Sequence, residues 1–561
     1  MTASADRKPP PLSARPAKEQ NSFRRQEWLF VLLIVLAVLA AYLNSFSGPF
    51  IFDDLDSIVK NPTIRDLAQP AQVLFPPPGA LTVSGRPLLN LSLAINYALG
   101  GTSVFGYHAG NLLIHLLATL VLFGILRRTL LQPLMRDRFG PAALPLSAAI
   151  ALLWAVHPLQ TESVTYIVQR SESLMGLFYL LTLYCVIRAA AAPGPRWSVL
   201  AFLACLCGMT VKEVMVTAPL MALLYDRTFL AGTFRKALHA RWRLYLALAG
   251  TWLVLAWLLA TGGQVDTGPN SLRPPAARLG YAETQFWAVV HYLKLSVWPH
   301  PLILDFGGPV LIQSAAVIVP CAAMIVALLA ATIICLRRGM ALGFAGAWFF
   351  GILALTSSIF PLGDTVFEHR MYLPLAAVVA VAALLIYRQT GRWSRIVFLV
   401  AWAAFTVLTV RRNEDYRSDL AIWTDTVARR PDNARAHCSL GLALRRRGQL
   451  DEAVEQYQTA LQLQPGYADA HNNLGVIFLS EQRFAEAAEQ FALAIGQNPR
   501  DASSHNNLGA ALYREGRLDD AIAELQESLR LRPDDSRTRS NLDALLDEER
   551  TSLKPPAGPG H

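Results

Sequence analysis

Two adjacent acids, Asp53 and Asp54, follow the first long apolar segment and open a polar stretch. Carboxylates this close to a membrane span are costly in lipid unless they face water or a site, so we interpret them as functional. A carboxylate within hydrogen-bond reach can deprotonate an incoming hydroxyl. Because neighbouring acids rarely point the same way, we expect one to act as a base. The other could bind a divalent cation or hold a structural hydrogen bond, and the sequence leaves open which acid is which.

Basic side chains that could stabilise a departing phosphate recur further along the chain. Guanidinium and ammonium groups bind phosphate oxygens well, and glycosyl transfer to a hydroxyl needs such positive charge as well as a base. The candidates are Arg86, Arg170, Lys212 and Arg370. For each arginine the alternative is an anchoring role at the lipid headgroups.

Further polar side chains recur at the ends of apolar segments and predict a water-accessible cavity. The histidines are isolated from one another and match no compact metal motif, so we predict no zinc site among them. His157, which precedes Pro158 at the end of a span, is expected to shape the cavity by hydrogen bonding or to contact a phosphate or sugar. The remaining substrate-binding candidates are His108, Glu162, Glu213, Glu368 and His369.

The composition indicates what kind of structure positions these residues. Of 561 residues, 53% are hydrophobic and only 16% are charged, whereas soluble domains carry about 25% charge. This predicts an all-α, polytopic membrane bundle over 28–411, preceded by a disordered cytoplasmic segment, 1–27. A further apolar and aromatic stretch, 284–304, is expected at the membrane interface. Eleven apolar runs are candidate spans: 28–46, 107–126, 142–157, 173–190, 197–211, 214–226, 243–261, 309–336, 340–358, 372–388 and 396–411.

The positive charges predict the topology of the bundle. Six Arg/Lys clusters fall on one side if the eleven spans alternate, and the positive-inside rule makes that side cytoplasmic. The other side receives the acidic loop, 47–106, and the C-terminal domain, with Arg411 and Arg412 as a local exception. The formal charge of +9 is accounted for by these clusters. It therefore does not indicate a nucleic-acid partner.

A 34-residue repeat occupies the C-terminal part of the chain. Prolines recur at Pro431, Pro465, Pro499 and Pro533, and Gly441, Gly475 and Gly509 share a second phase. This period, with a small residue where two helices cross, is the tetratricopeptide signature. We therefore predict an α-solenoid over 412–548, with units of about 431–464, 465–498 and 499–532, a partial unit 533–548, and a disordered tail, 549–561.

The ordered motifs resemble a known family. They are Phe52-Asp53-Asp54, Gly85-Arg86-Pro87-Leu88, Tyr107-His108 with His115, His157-Pro158 with Glu162, Arg170-Ser171-Glu172, Lys212-Glu213, and Glu368-His369-Arg370-Met371-Tyr372. In this order, ahead of the repeats, they resemble the transmembrane and tetratricopeptide-repeat-containing proteins among the GT-C glycosyltransferases. The short array and compact loops favour a bacterial member.

The resemblance implies an inverting transferase that takes a sugar from a polyprenyl-phosphate donor on the extracytoplasmic side of a bacterial inner membrane. It implies that Asp53 and Asp54 are the base and its neighbour, that Arg86, Lys212 and Arg370 hold the phosphate, and that the repeats recruit a protein acceptor or partner. Eukaryotic members are similar to protein O-mannosyltransferases. The rivals are a membrane-anchored repeat scaffold without enzymatic activity and a lipid or sugar transporter.

Overall fold

A computed structural model describes residues 17–76, 82–192, 194–261, 275–308, 312, 314–357 and 364–552, and these residues form helices and connecting turns without a β-strand. The chain divides into two compact units. The membrane unit comprises Met1–Leu304 and Pro309–Ser418, and the repeat unit comprises Asp305–Gly308 and Asp419–His561. The repeat unit thus begins seven residues after the predicted boundary at 412.

Sixteen helices build the described part of the membrane unit. They are α1 Ala17–Tyr42, α2 Pro70–Leu74, α3 Pro87–Gly100, α4 Val104–Leu130, α5 Pro133–Phe139, α6 Ala143–Ala155, α7 Thr161–Val164, α8 Arg170–Ala191, α9 Arg196–Met209, α10 Ala218–Tyr225, α11 Phe234–Thr261, α12 Pro275–Val297, α13 Ala315–Arg337, α14 Ala341–Leu353, α15 Pro374–Thr390 and α16 Ser394–Asp415.

Seven segments in the described ranges are long and apolar enough to cross a membrane: Arg25–Ser45, Val104–Leu130, Pro133–Ala155, Ile167–Ala191, Phe234–Thr261, Ala315–Arg337 and Pro374–Asp415. The last joins two predicted spans, 372–388 and 396–411. Two more predicted spans are the shorter apolar helices α9 and α14. The run 214–226 forms a 3₁₀ turn, the eight-residue α10 and a π-helical turn. At about 1.5 Å per residue, α10 is too short to cross a ~30 Å hydrocarbon core alone.

The two predicted disordered ends are partly helical. Residues 17–27 lie in α1 rather than in a disordered segment, and residues 549–552 end the last helix. The rest of both predictions, 1–16 and 553–561, lies outside the described residues.

A buried aromatic cluster fixes the segment that precedes α15 against α4 and α6. The hydroxyl of Tyr372 lies 2.9 Å from Nδ1 of His115 in α4. The indole of Trp154 in α6 donates to the carbonyl of Tyr372 at 2.9 Å. Because the aromatic rings also pack edge to face, the turn Glu368–Met371 just before Tyr372 has a defined position.

The repeat unit consists of helix pairs, as the 34-residue period predicts. Its helices are α17 Asp419–Arg429, α18 Ala434–Arg446, α19 Leu450–Leu463, α20 Ala468–Ser480, α21 Phe484–Gln497, α22 Ala502–Arg514, α23 Leu518–Leu531 and α24 Ser536–Ser552. Gly475 packs against the Phe491 ring, so the repeated glycine is where the helices of a pair cross. In each full unit a histidine contacts the carbonyl of the repeated proline: His437 with Pro431, His471 with Pro465, and His505 with Pro499.

Candidate functional site

The first acid of the pair sits on a constrained turn. Phe52 has φ +46°, a left-handed conformation that an aromatic residue rarely adopts. Strain of this kind persists where the surroundings hold the backbone, and it clusters at functional sites. The amide of Asp53 donates to the hydroxyl of Tyr166 at 3.0 Å. Asp53 itself is half-buried, whereas Asp54 is fully buried, so Asp53 is the more exposed acid of the pair.

The second acid is a structural residue. Asp54 is completely buried, and its two carboxylate oxygens accept the amides of Ile51 at 3.1 Å and Val168 at 2.7 Å. These bonds tie the first loop to the turn that precedes α8. Burial raises the pKa of Asp54 to about 8, against the opposing effect of the two amides. The pair is therefore split by environment, and Asp53 is the acid that a substrate could reach.

A second group of ionisable residues is buried between the described loops. His369 in the Glu368–Met371 turn contacts Glu162 of α7 twice, through its amide at 2.8 Å and through Nδ1 at 2.7 Å. Glu172 in the first turn of α8 accepts from the ammonium of Lys212 at 2.8 Å and lies 3.8 Å from His369 Nε2. All four side chains are at most a tenth exposed. They form a row of neighbouring ionisable groups, Lys212–Glu172–His369–Glu162, which we call the buried relay; the Glu172–His369 separation is too long for a hydrogen bond.

Burial sets the protonation of the relay. It raises the pKa of Glu162 to about 8, although the His369 amide and the charge of Arg412 oppose this rise. It lowers the pKa of His369 well below its ordinary value, and the positive charge of Lys212 adds to that effect. Both shifts favour neutral forms, as expected for ionisable groups moved out of water.

Three of the four predicted phosphate-binding residues lower the pKa of one carboxylate, Glu213. Arg86, which precedes α3, lies 3.6 Å from Glu213. Burial alone would raise the pKa of Glu213, but the charges of Arg86, Lys212 and Arg370 outweigh it, so the pKa lies below its ordinary value. The fold thus brings the charges of three cationic side chains, separated by nearly three hundred positions in the sequence, to bear on one carboxylate. Lys212 also pairs with Glu172, and Arg370 donates to the carbonyls of Thr365 and Asp364.

The fourth predicted phosphate-binding residue, Arg170, does not fit that role. Its side chain is 1% exposed. The guanidinium donates to Asn111 at 2.5 Å, to Asn96 at 2.6 Å and to two backbone carbonyls, those of Ser92 and Tyr107. With its donors directed at protein acceptors, Arg170 joins α3, α4 and α8 and is not open to a ligand.

Three other predicted substrate contacts also have structural partners. His157 accepts the Leu159 amide through Nδ1 and contacts the Ser296 carbonyl through Nε2, and burial lowers its pKa to about 4. His108 contacts the Gly48 carbonyl at 2.9 Å. Glu368 accepts the Ile303 amide at 2.8 Å. Each is held in place between segments and supports the loops around the site.

Two residues of the cluster had no assigned role in the sequence. Glu172 occurs in the motif Arg170-Ser171-Glu172, and a carboxylate in the first turn of an apolar helix was the available signal. Tyr166 accepts the Asp53 amide. Burial, followed by the negative charges of Asp53, Asp54 and Glu162, raises its pKa.

The described residues hold no group of three or more His, Cys, Asp or Glu side chains that could bind a metal ion. The chemistry that their arrangement supports is acid–base and electrostatic: a half-buried acid at Asp53, a buried Glu162 whose pKa is raised, and three cations whose charges lower the pKa of Glu213.

Fold and site together define an all-helical membrane protein with a buried ionisable cluster and a C-terminal tetratricopeptide solenoid. Two family profiles, described as "TPR repeat" and "Tetratricopeptide repeat", match residues 441–481 and 473–536. The curated homologues of the chain are protein O-mannosyl-transferases of the transmembrane and tetratricopeptide-repeat type, which confirms the resemblance drawn from the motifs.

Three homologues illustrate the extent of the similarity. One from Caenorhabditis elegans is 25% identical over 464 residues, covering 80% of this chain and 64% of the relative. TMTC4 of Homo sapiens is 27% identical over 491 residues, covering 76% and 65%. A third, tmtc2 of Xenopus laevis, is 32% identical over 200 residues, covering 34% and 23%. The chain therefore spans just under two thirds of the length of the first two relatives.

Among solved structures, the Arabidopsis OM64 TPR domain is 21% identical with a TM-score of 0.20, covering 20% of this chain and 94% of that one. MamA from Desulfovibrio magneticus is 18% identical with a TM-score of 0.23, covering 30% and 85%. These values are too low to support a structural argument.

Proposed function

We propose that the chain is a membrane glycosyltransferase that moves a sugar from a polyprenyl-phosphate donor to an acceptor hydroxyl, with a protein serine or threonine as the acceptor class. The observations that carry this proposal are the half-buried acid Asp53, whose backbone is held by Tyr166, and three cations whose charges lower the pKa of Glu213. The relatives named protein O-mannosyl-transferases support the reaction class. Because the chain matches only part of those relatives, the sugar and the acceptor are proposed only as classes.

In the proposed reaction, Asp53 removes the proton of the acceptor hydroxyl as its oxygen attacks the anomeric carbon. The bond from that carbon to the donor phosphate breaks, and the phosphate leaves with the electron pair. Arg86, Lys212 and Arg370 stabilise the negative charge that develops on the phosphate, an effect that is strong in a site shielded from water. A single displacement of this kind inverts the anomeric configuration.

The scaffold alternative does not need this arrangement, whereas a transporter would also use a polar cavity. A scaffold has no use for the buried relay, because removing four ionisable groups from water costs free energy that apolar packing would avoid. The repeats are compatible with either role. In our proposal they present acceptor or partner proteins to the membrane unit, which lies in a bacterial inner membrane with its site outside the cytoplasm.

The test compares three Asp→Asn variants of the first loop in membranes supplied with a polyprenyl-phosphate sugar. Asp53→Asn should lower transfer by about 10²- to 10⁴-fold, the usual contribution of a general base, without unfolding the protein. Asp54→Asn should destabilise the fold, because an amide cannot accept both the Ile51 and Val168 amides. Asp56→Asn, at an exposed position of the same loop, is the matched control.

The predicted control result is unchanged transfer and stability in Asp56→Asn. Wild-type transfer by a folded Asp53→Asn variant would contradict the proposed base. Glycan mass spectrometry of membrane and secreted fractions, with and without the protein, identifies the sugar and the acceptor. No difference in glycans between the two strains would favour the scaffold.

A further inference from the structure

A cavity of about 590 Å³ lies in the membrane unit. Its wall includes side chains of α4, α5, α6, α8, α10, α14 and α15, among them Leu126, Leu130, Phe344 and Ala380. The volume falls within the roughly 300–1,000 Å³ typical of ligand sites. Leu134, Leu342 and Leu385 of its wall are exposed, so the cavity opens to the surface of the helix bundle and can admit a ligand from outside.

The interior of the cavity suits a hydrocarbon chain. Its wall contains two hydroxyl groups, Thr129 and Tyr225, and these bond to each other at 2.7 Å. Thr129 also lies 2.9 Å from the carbonyl of Ile125. Among the residues that the structure describes, no lining side chain carries a buried polar atom without a partner. A polar ligand would therefore lose its hydrogen bonds to water and gain none inside.

The rim of the cavity is positively charged. Arg138 and Arg388 line it and are exposed, together with the carboxylate of Asp137. Neither guanidinium makes a hydrogen bond or ion pair to another described side chain. The two arginines and the aspartate leave one net positive charge at the opening. Guanidinium groups bind phosphate oxygens well, so the rim complements one phosphodiester.

The charged rim of the cavity is separated from the proposed donor site, although the apolar wall reaches Ala376 near the start of α15. Arg388 lies 14 residues after Pro374, near the opposite end of α15 from the Glu368–Met371 turn. At ~1.5 Å per residue this is about 21 Å. The rim lies beyond the last turn of α4, which carries Arg127 and Arg128. This is the end that the positive charges predict to be cytoplasmic, where basic pockets between helices bind anionic headgroups.

We propose that this cavity binds one anionic glycerophospholipid of the surrounding leaflet, with an acyl chain in the apolar interior and the phosphate between Arg138 and Arg388. The lipid is a resident partner of the bundle, distinct from any sugar donor. This site is independent of the proposed transferase activity, and binding alone tests it.

The experiment uses the full-length protein in detergent, titrated with dioleoyl phosphatidylglycerol, dioleoyl phosphatidylcholine or inorganic phosphate. Thermal unfolding and native mass spectrometry report binding. We expect one phosphatidylglycerol to be retained per protein and to raise the melting temperature, with at least tenfold weaker effects from phosphatidylcholine and phosphate. Arg138→Gln with Arg388→Gln should abolish the preference for phosphatidylglycerol. Arg136→Gln with Arg395→Gln, exposed positions outside the lining, is the matched control and should keep it.

A third variant, Ala380→Phe, fills the cavity and should prevent retention of the lipid while leaving the rim charges in place. Equal stabilisation by the two phospholipids, an equal loss in the control pair, or a full effect of phosphate alone would each overturn the proposal. So would undiminished retention in a folded Ala380→Phe variant.

Discussion

At the scale of single residues, environment separates side chains of the same type. Asp53 and Asp54 are adjacent, yet one is half-exposed and the other accepts two amides in a buried position. Arg86 and Arg170 differ in the same way: one faces Glu213, and the other is saturated by protein acceptors. Residue type selects what a group can do chemically, but only its partners decide whether it is available to do it.

The two arginines give a direct prediction. Arg170→Ala should destabilise the protein by several kcal/mol, because it removes a buried charged side chain and leaves Asn111 and Asn96 without their donor. Arg86→Ala should leave the melting temperature within a few degrees of wild type but weaken binding of the phosphorylated donor. Thermal unfolding and donor titration measure the two effects. A well-folded Arg170→Ala variant that has lost only donor affinity would show that Arg170 binds ligand after all.

The raised pKa of Glu162 predicts a pH dependence of stability. Burial moves this pKa from its ordinary 4.5 to about 8. Between these values the folded state holds a proton that the unfolded state has lost, so this group's contribution to stability falls as pH rises. Glu162→Gln mimics the protonated form and removes the contribution. The melting temperature of the wild type should therefore fall more steeply from pH 5 to pH 8 than that of Glu162→Gln.

His369 contributes in the opposite direction, because its lowered pKa makes stability rise as pH rises through the ordinary histidine range. Both proteins retain this histidine, but its Nδ1 bonds to Glu162, so the comparison reports on the Glu162–His369 pair as a unit. Glu414→Gln, at an exposed position of the same unit, is the control and should keep the wild-type slope. Parallel slopes in wild type and Glu162→Gln would mean that Glu162 is ionised in the folded state.

At the scale of elements, close packing of α8 against Tyr372 positions the relay. Gly176 lies one turn after Glu172 in α8, and a Cβ there would lie 2.7 Å from Cδ1 of the Tyr372 ring. We predict that Gly176→Ala displaces Tyr372 and, with it, the preceding turn that holds His369. Overpacking of this kind costs about 1–3 kcal/mol. The melting temperature and the rate of sugar transfer should both decrease.

Gly250→Ala is the matched control for this prediction. Gly250 is also a glycine inside an apolar helix, but a Cβ there meets nothing within 4 Å. Alanine is the better helix former, so this change should be neutral or stabilising. If both variants behave alike, helix propensity rather than contact with Tyr372 determines the effect of Gly176→Ala.

Whether a predicted span forms one membrane-crossing helix is also decided at the scale of elements. Hydropathy identifies apolar runs, but the start and end of each helix depend on turns that it does not detect. Hydropathy predicts a span over 214–226, yet 3₁₀ and π-helical turns flank a helix of only eight residues there. A length of about 12 Å requires partners on its sides rather than lipid at both ends.

At the scale of the whole molecule, the charge pattern predicts on which side of the membrane each part lies. A reporter that is active only outside the cytoplasm, fused after Leu420, should give signal, because the repeats are predicted to be extracytoplasmic. The same reporter fused after Arg138 should be silent and serves as the control. Silence at Leu420 with signal at Arg138 would reverse the predicted orientation and place Asp53 in the cytoplasm.

The sequence by itself determined the class of the protein. Charge depletion predicted a helical membrane bundle, the 34-residue period predicted the solenoid, and the ordered motifs indicated the relatives. These features are local or periodic, so each leaves a pattern in the linear chain. Only the tertiary structure decided three features of the site. They are the different environments of Asp53 and Asp54, the structural role of Arg170, and the pairing of Glu162 with His369. Burial and hydrogen-bond partners depend on residues up to hundreds of positions away, and no local pattern encodes them.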